Sequence, residues 1–121
     1  MFLFDSNIII YSHLPDFQYL RDFILDENVF VSHISHVEVL GYHKLSSIQE
    51  SYFTDLFSFI PVITPTKEIF SAAIFLRRKY NLELGDSIIA ATARVSGLTI
   101  YTANLKDFGK VKEIKCINPV K

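Results

Sequence analysis

Three observations predict a three-layer α/β/α sandwich with a mainly parallel central sheet of four to five strands. The first is the apolar run Phe2-Leu3-Phe4, closed by Asp5 and followed almost at once by Ile8-Ile9-Ile10-Tyr11. A run this apolar reads as a strand buried on both faces, as parallel strands are. The second is the alternation, along the rest of the chain, of short β-branched and aromatic runs with longer helical patterns. The third is a shortage of turn material: four Gly and four Pro leave little for hairpins, so the strands must be joined by crossover helices. At 121 residues the expectation is one domain, residues 1–121, with a single substantial core.

Ser6 is placed to cap a short helix through Ile10 or Tyr11, with Pro15 ending that segment. Asp16 starts a second helix in which Phe17, Leu20, Phe23 and Ile24 recur at helical spacing, and Asn28 closes it. Val29-Phe30-Val31 is a second strand, and Ser32 to Ser35 turn into a third helix from about Ile34 to Lys44. A fourth helix runs from about Ser47 to Phe59, with Ile48, Tyr52, Leu56, Phe57 and Ile60 on one side. The proline-bounded Val62-Ile63 has room for a brief strand only. Thr66 caps a fifth helix that buries Ile69, Phe70, Ala73, Ile74 and Leu76 and ends in Arg77-Arg78-Lys79, favourable to its dipole. Asn81 and Gly85 bracket a turn, and Asp86 opens a sixth helix, apolar nearly all round and ended by Gly97. Leu98 to Thr102 form a strand, a loop or short helix follows through Asn104 and Phe108, and Ile114 to Ile117 form the last strand.

Half the residues are hydrophobic and 11 are Phe, which excludes disorder. No window reaches the roughly 18 apolar residues of a membrane span, so no membrane association is expected. The first residues lack a basic lead and Asp5 interrupts their apolar run, unlike a secretory leader. The single cysteine, Cys116, excludes an internal disulfide and fits a reducing compartment, so the chain is expected to be cytoplasmic. Net charge is -1, but its distribution is uneven: residues 1–60 carry eight acids and two bases, residues 61–121 five acids and ten bases. An acidic pocket edged by basic surface suits a polyanion held through cations, although segregated solvated charge would look the same.

Most acids, among them Asp22, Asp26, Glu27, Glu50 and Asp55, fall where solvent takes them. Asp5 ends a buried strand, Glu38 interrupts an apolar helical stretch, and Asp86 opens an apolar helix; Asp107, after the Ile100-Tyr101 strand, is a fourth candidate. Each has a plainer reading: Asp5 and Asp86 as helix caps, Glu38 as a side chain reaching the surface. Three together, at junctions expected to face one edge of the sheet, favour a shared divalent cation, because buried carboxylates without partners are costly. His33, His36 and His43 match no closed zinc pattern and read as turn and surface histidines, His36 lying near Glu38. Phe17, Phe23, Tyr52, Phe53, Phe57 and Phe59 exceed what a small core easily absorbs, and leave open an apolar groove for a partner segment.

Phe4-Asp5-Ser6-Asn7, the mid-helix Glu38, the run from Gly85-Asp86-Ser87 to Ala93, and Thr102-Ala103-Asn104-Leu105-Lys106-Asp107-Phe108 together resemble a PIN-domain ribonuclease. The nearest similarity is to the small VapC-like toxins of prokaryotic toxin–antitoxin pairs. The likeness covers essentially the whole chain in the right order. Asp5-Ser6-Asn7 alone is a weak signal, whereas the segment from Asp86 to Ala93 is much more specific.

The resemblance implies Mg²⁺- or Mn²⁺-dependent cleavage of single-stranded or looped RNA, with Asp5, Glu38, Asp86 and Asp107 as catalytic residues. Asp5 and Asp86 would be principal metal ligands and Glu38 a direct or water-mediated one that positions the attacking water. Asn104 and Asp107 both match the closing motif and would hold a second ion or the outer shell. Ser6 is expected to fix the Asp5 carboxylate, and Arg94, Lys106 and Lys110 to touch RNA phosphates. A homodimer and a cognate antitoxin that blocks the pocket are also implied. The alternative is a non-catalytic PIN-like module binding RNA or protein, which the intact acids argue against. A haloacid-dehalogenase-like phosphatase needs a second acid where Asn7 stands, and a receiver domain needs an acid where Ser32 follows Val31.

Overall fold

Leu3 and Phe4, adjacent in strand β1 (Phe2–Phe4), enter two different cores. Side chains alternate across a strand, so these are the two faces of a sheet covered on both sides. The computed structural model describes residues 1–26 and 28–120; Glu27, read from sequence as a solvated acid, lies outside the described residues. After β1 come α1 (Ser6–Tyr11), α2 (Leu20–Ile24), β2 (Val29–Ser32), α3 (His33–Leu40), α4 (Ser47–Phe59) and β3 (Val62–Ile63). The chain continues through α5 (Lys67–Tyr80), α6 (Leu84–Ser96), β4 (Thr99–Tyr101), α7 (Leu105–Phe108) and β5 (Cys116–Ile117). All strand pairs are parallel and the order is β3-β2-β1-β4-β5.

The fold is therefore the three-layer α/β sandwich the sequence predicts. The order reverses at β1: β2 lies on one side and β4 on the other, with Phe4 in register with both Val31 and Tyr101. That reversal opens a crevice at the C-terminal ends of the strands, where open α/β sheets place their ligands. Asp5 is the first residue beyond β1 and stands at that crevice.

One core joins Leu3 and Ile100 to α5 and α6, the other joins Phe4, Val29 and Val31 to α1, α3 and α4. Helix α6 is buried without interruption from Ser87 to Ala93, which its small residues permit by letting α5 and the sheet approach closely. Gly97, in the left-handed conformation at φ 68°, ends α6 and turns the chain into Leu98 and β4.

Several expected boundaries differ. The segment read as a helix from Asp16 is a 3₁₀ turn, Pro15–Phe17, followed by the five-residue α2, because Pro15 holds the first turn and too few residues follow to propagate a helix. Helix α3 stops at Leu40 rather than near Lys44, where Gly41 caps it through its amide to Val37 O. Helix α6 begins at Leu84, so Gly85 lies within its first turn and not in the preceding loop. Ile48, Phe70 and Ile74, placed in the core by their periodicity, are 77%, 48% and 64% exposed. The last strand is only Cys116–Ile117. Among the described residues, no helix is long and apolar enough to cross a membrane.

Candidate active site

Asp5 is buried and caps α1: its Oδ1 accepts the Ser6 amide at 2.7 Å, and its Oδ2 accepts the Thr102 hydroxyl at 2.8 Å. The parallel register explains the second contact, since Phe4 faces Tyr101 and the next residue of each strand projects into the same crevice. Thr102 in turn accepts the Asn104 amide at 2.9 Å, and Asn7 reaches the same loop through Ala103 N at 3.3 Å. The carboxyl of Asp5 is pushed up to about 6, above all by burial, against its hydrogen bonds from Thr102 and Ser6. The charge of Glu38 pushes it the same way.

Ser6 is the N-terminal residue of α1, and its amide, not its hydroxyl, holds Asp5. The hydroxyl donates to Glu38 Oε1 at 2.7 Å and is hydrogen-bonded to the buried Ser35 hydroxyl at 2.9 Å. Ser6 thus holds Asp5 through its backbone amide, while its hydroxyl reaches across to Glu38 on α3. Glu38 is exposed, yet this tether returns its carboxylate to the crevice.

Asp86 is half-buried in the first turn of α6 and has no hydrogen bond or ion pair among the described residues. Burial pushes its carboxyl up to about 7, and the charges of Asp5, Glu38, Glu83 and Asp107 add to the shift. A position near a helix N-terminus ordinarily favours the charged form; here burial and four acids outweigh it. Gly85 lies against Glu38 so closely that a Cβ there would meet Glu38 Oε2 at 2.5 Å. The glycine thus leaves room for the Glu38 carboxylate against the start of α6.

Asn104 and Asp107 take different parts. Asn104 caps α7, its Oδ1 accepting the Asp107 amide at 3.3 Å, while its Nδ2 donates to Asp107 Oδ2 at 3.0 Å. Asp107 carries the charge felt by Asp86, and Lys110 Nζ lies 3.9 Å from its other oxygen. Lys106 and Lys110 are exposed on and beside α7. Arg94 is in the last turn of α6, about 12 Å along the helix from Asp86 at 1.5 Å per residue. The three histidines do not converge: the exposed His33 meets His36 edge-on with centroids 5.1 Å apart, the His36 ring packs on Phe57 at 4.2 Å, and His43 is exposed elsewhere. Burial and the neighbouring His33 lower the pKa of His36.

Among the described residues, no three His, Cys, Asp or Glu side chains are gathered into a ready-made metal cluster. The donor set nevertheless fits a hard divalent cation. It consists of carboxylates from the end of β1, α3 and α6, none of the three paired with a Lys or Arg among the described residues, and two of them held above the carboxylate range by burial and by the charge of neighbouring acids. Thr102, Ser35 and Gly85 complete the arrangement and were not singled out in the sequence. The strand register was the signal for Thr102, and a glycine directly before an acid the signal for Gly85.

Residues 2–114 match the PIN domain family. A protein from a toxin–antitoxin complex of Klebsiella pneumoniae superposes with a TM-score of 0.81 at 28% identity, covering 100% of this chain and 99% of that one. A chain of VapBC2 from Rickettsia felis, solved bound to a promoter DNA fragment, gives a TM-score of 0.79 at 19% identity over 97% of both chains. A chain of FitAcB from Neisseria gonorrhoeae gives a TM-score of 0.79 at 21% identity over 98% of both. Among curated proteins, no significant match is found.

Proposed function

As the chain belongs to the PIN-domain family, we propose that it is an endoribonuclease dependent on Mg²⁺ or Mn²⁺, acting as the toxin of a toxin–antitoxin pair. The observation that carries this reading is the convergence of Asp5, Glu38 and Asp86 from three elements, where burial and, after it, the neighbouring acids push the Asp86 carboxyl up to about 7. Such a group of acids without cationic partners is suited to a metal-bridged phosphodiester. Asp5 and Asp86 would hold the cation, with Asp107, steadied by Asn104, in the outer shell or at a second ion. Bound there, the cation supplies Lewis-acid stabilisation of the phosphoryl oxygens and lowers the pKa of water. Glu38 has Oε1 engaged by Ser6, which leaves Oε2 to orient the attacking water and take its proton. Thr102 keeps Asp5 fixed and charged through its hydrogen bond.

RNA incubated with the protein and Mn²⁺ is expected to show new ends at defined positions, mapped by sequencing, that are absent with the Asp5→Asn protein. Identical ends from both proteins would overturn the assignment. Ser6→Ala is expected to lower the cleavage rate by about 10- to 100-fold, because Glu38 loses its tether. The Asp5 cap survives in that variant, since it uses the backbone amide. A rate within twofold of wild type would show that Glu38 needs no positioning.

We assign partners on two grounds. The Klebsiella pneumoniae protein similar over the full chain comes from a toxin–antitoxin complex, which supports a cognate antitoxin here. An exposed apolar strip supports a homodimer: Val37 of α3 and Phe70 of α5 line one hollow, and Ile74 lies one turn from Phe70. Sedimentation is expected to give a dimer for the wild type and a monomer for Phe70→Ser/Ile74→Ser; a wild-type monomer would remove the dimer.

A further inference from the structure

A cleft of about 300 Å³ opens beside Glu38 and is lined by no residue of α6. Among its lining residues are His13, Tyr42, Phe53 and Gln49. The volume lies at the low end for ligand clefts, sized for a single ring system rather than a folded segment. Two polar features set it apart from a purely apolar groove. Gln49 is locked by the capping box of α4: its Oε1 accepts the Ser46 amide at 3.0 Å, and its own amide donates to Ser46 Oγ at 3.1 Å. Its Nε2 protons therefore have no partner among the described residues and are held in a fixed orientation. His13 Nδ1 is shut off from solvent with no hydrogen-bond partner among the described residues.

We propose that this cleft receives the base of a nucleotide flanking the scissile phosphate and reads it through Gln49; the proposal rests on the ribonuclease reading above. Glu38 is the link, because it lines the cleft and is also tethered to the acid site through Ser6. Single-stranded RNA is recognised by bases turned out of the stack onto aromatic rings and hydrogen-bonded on their edges. An apolar partner side chain would cover the Gln49 donors without satisfying them, a mismatch that costs affinity. Because Gln49 offers donors, it favours an acceptor on the base edge, such as a carbonyl oxygen, over an exocyclic amino group.

The test uses single-stranded oligonucleotides that vary only in the base on either side of the cleaved bond, with kcat/KM measured for wild type, Gln49→Glu and Tyr42→Ala. Gln49→Glu keeps the capping oxygen and exchanges the donors for an acceptor. It is expected to move the preference at one position by about tenfold or more, toward bases that present an amino group. Tyr42→Ala is expected to weaken cleavage of the preferred base and to leave an abasic site at that position unaffected. Base preferences identical in wild type and Gln49→Glu overturn the proposal and leave the nuclease reading intact. So does an unchanged preference with weakened antitoxin binding, which gives the cleft to a protein partner. If wild type cuts no RNA, the nuclease reading fails on its own. Binding of the same oligonucleotides then decides for the cleft: affinity that depends on the base and changes in Gln49→Glu supports it, and uniform affinity overturns it.

Discussion

Asp86→Asn is expected to lose metal-dependent RNA cleavage by more than about a hundredfold and, in the presence of a chelator at pH 7.5, to melt above the wild type. The two effects have one cause. The Asp86 carboxylate makes no hydrogen bond or ion pair among the described residues, and burial and four neighbouring acids push it up to about 7. An amide of the same shape removes that repulsion and with it the ligand proposed for the cation. The direction of the pH dependence follows from linkage. Both Asp86, at about 7, and Asp5, at about 6, lie above the ordinary 3.8, so the folded protein holds protons that the unfolded chain releases. Stability of the metal-free wild type therefore falls as pH rises from about 4 to about 7 and is lowest above that window.

Thermal melts in chelator should show a melting temperature that drops by several degrees between pH 4.5 and 7.5, with a shallower drop in Asp86→Asn. Adding Mn²⁺ at pH 7.5 should raise the wild type and leave the variant nearly unmoved. Asp5→Asn should be equally inactive but gain less stability, since its oxygens accept from Ser6 and Thr102 and an amide retains only one acceptor. Wild-type cleavage by Asp86→Asn, or equal pH slopes in the two proteins, would sink the assignment.

The acids were legible in the sequence because a carboxylate at the end of an apolar element is chemically out of place. Asp5 after Phe2-Leu3-Phe4 and Asp86 before Ile88-Ile89-Ala90-Ala91 announce themselves without a structure. Their supports were not legible for the opposite reason. A hydroxyl such as that of Thr102 at a strand end is unremarkable, and only the pairing of Phe4 with Tyr101 places it on Asp5. Ser6 was legible beside Asp5, but that its amide serves Asp5 while its hydroxyl reaches Glu38 depends on where α3 lies. Periodicity had a similar limit: it finds the apolar stripe of α5 but not whether this chain covers all of it, and Phe70 and Ile74 are left exposed.

Gly85→Ala is expected to fold as well as the wild type and to cut RNA about 10 to 100 times more slowly. Gly85 is in the first turn of α6, where alanine is the better helix former by up to about 1 kcal/mol, so the helix itself gains. The added Cβ would lie 2.5 Å from Glu38 Oε2 and 3.1 Å from its Cδ. The obstacle is the end of a flexible side chain, not backbone, so Glu38 yields and α6 keeps its place. Moving that carboxylate breaks its 2.7 Å contact with Ser6 and takes Oε2 from the position proposed for the attacking water. A melting temperature at or above that of the wild type, beside a slowed reaction, would separate this effect from misfolding. A double-mutant cycle isolates the route: Glu38→Ala alone should be nearly inactive, and adding Gly85→Ala to it should cost nothing more. Equal losses from Gly85→Ala with and without the Glu38 side chain would mean that the glycine serves the RNA or the cation directly rather than through Glu38.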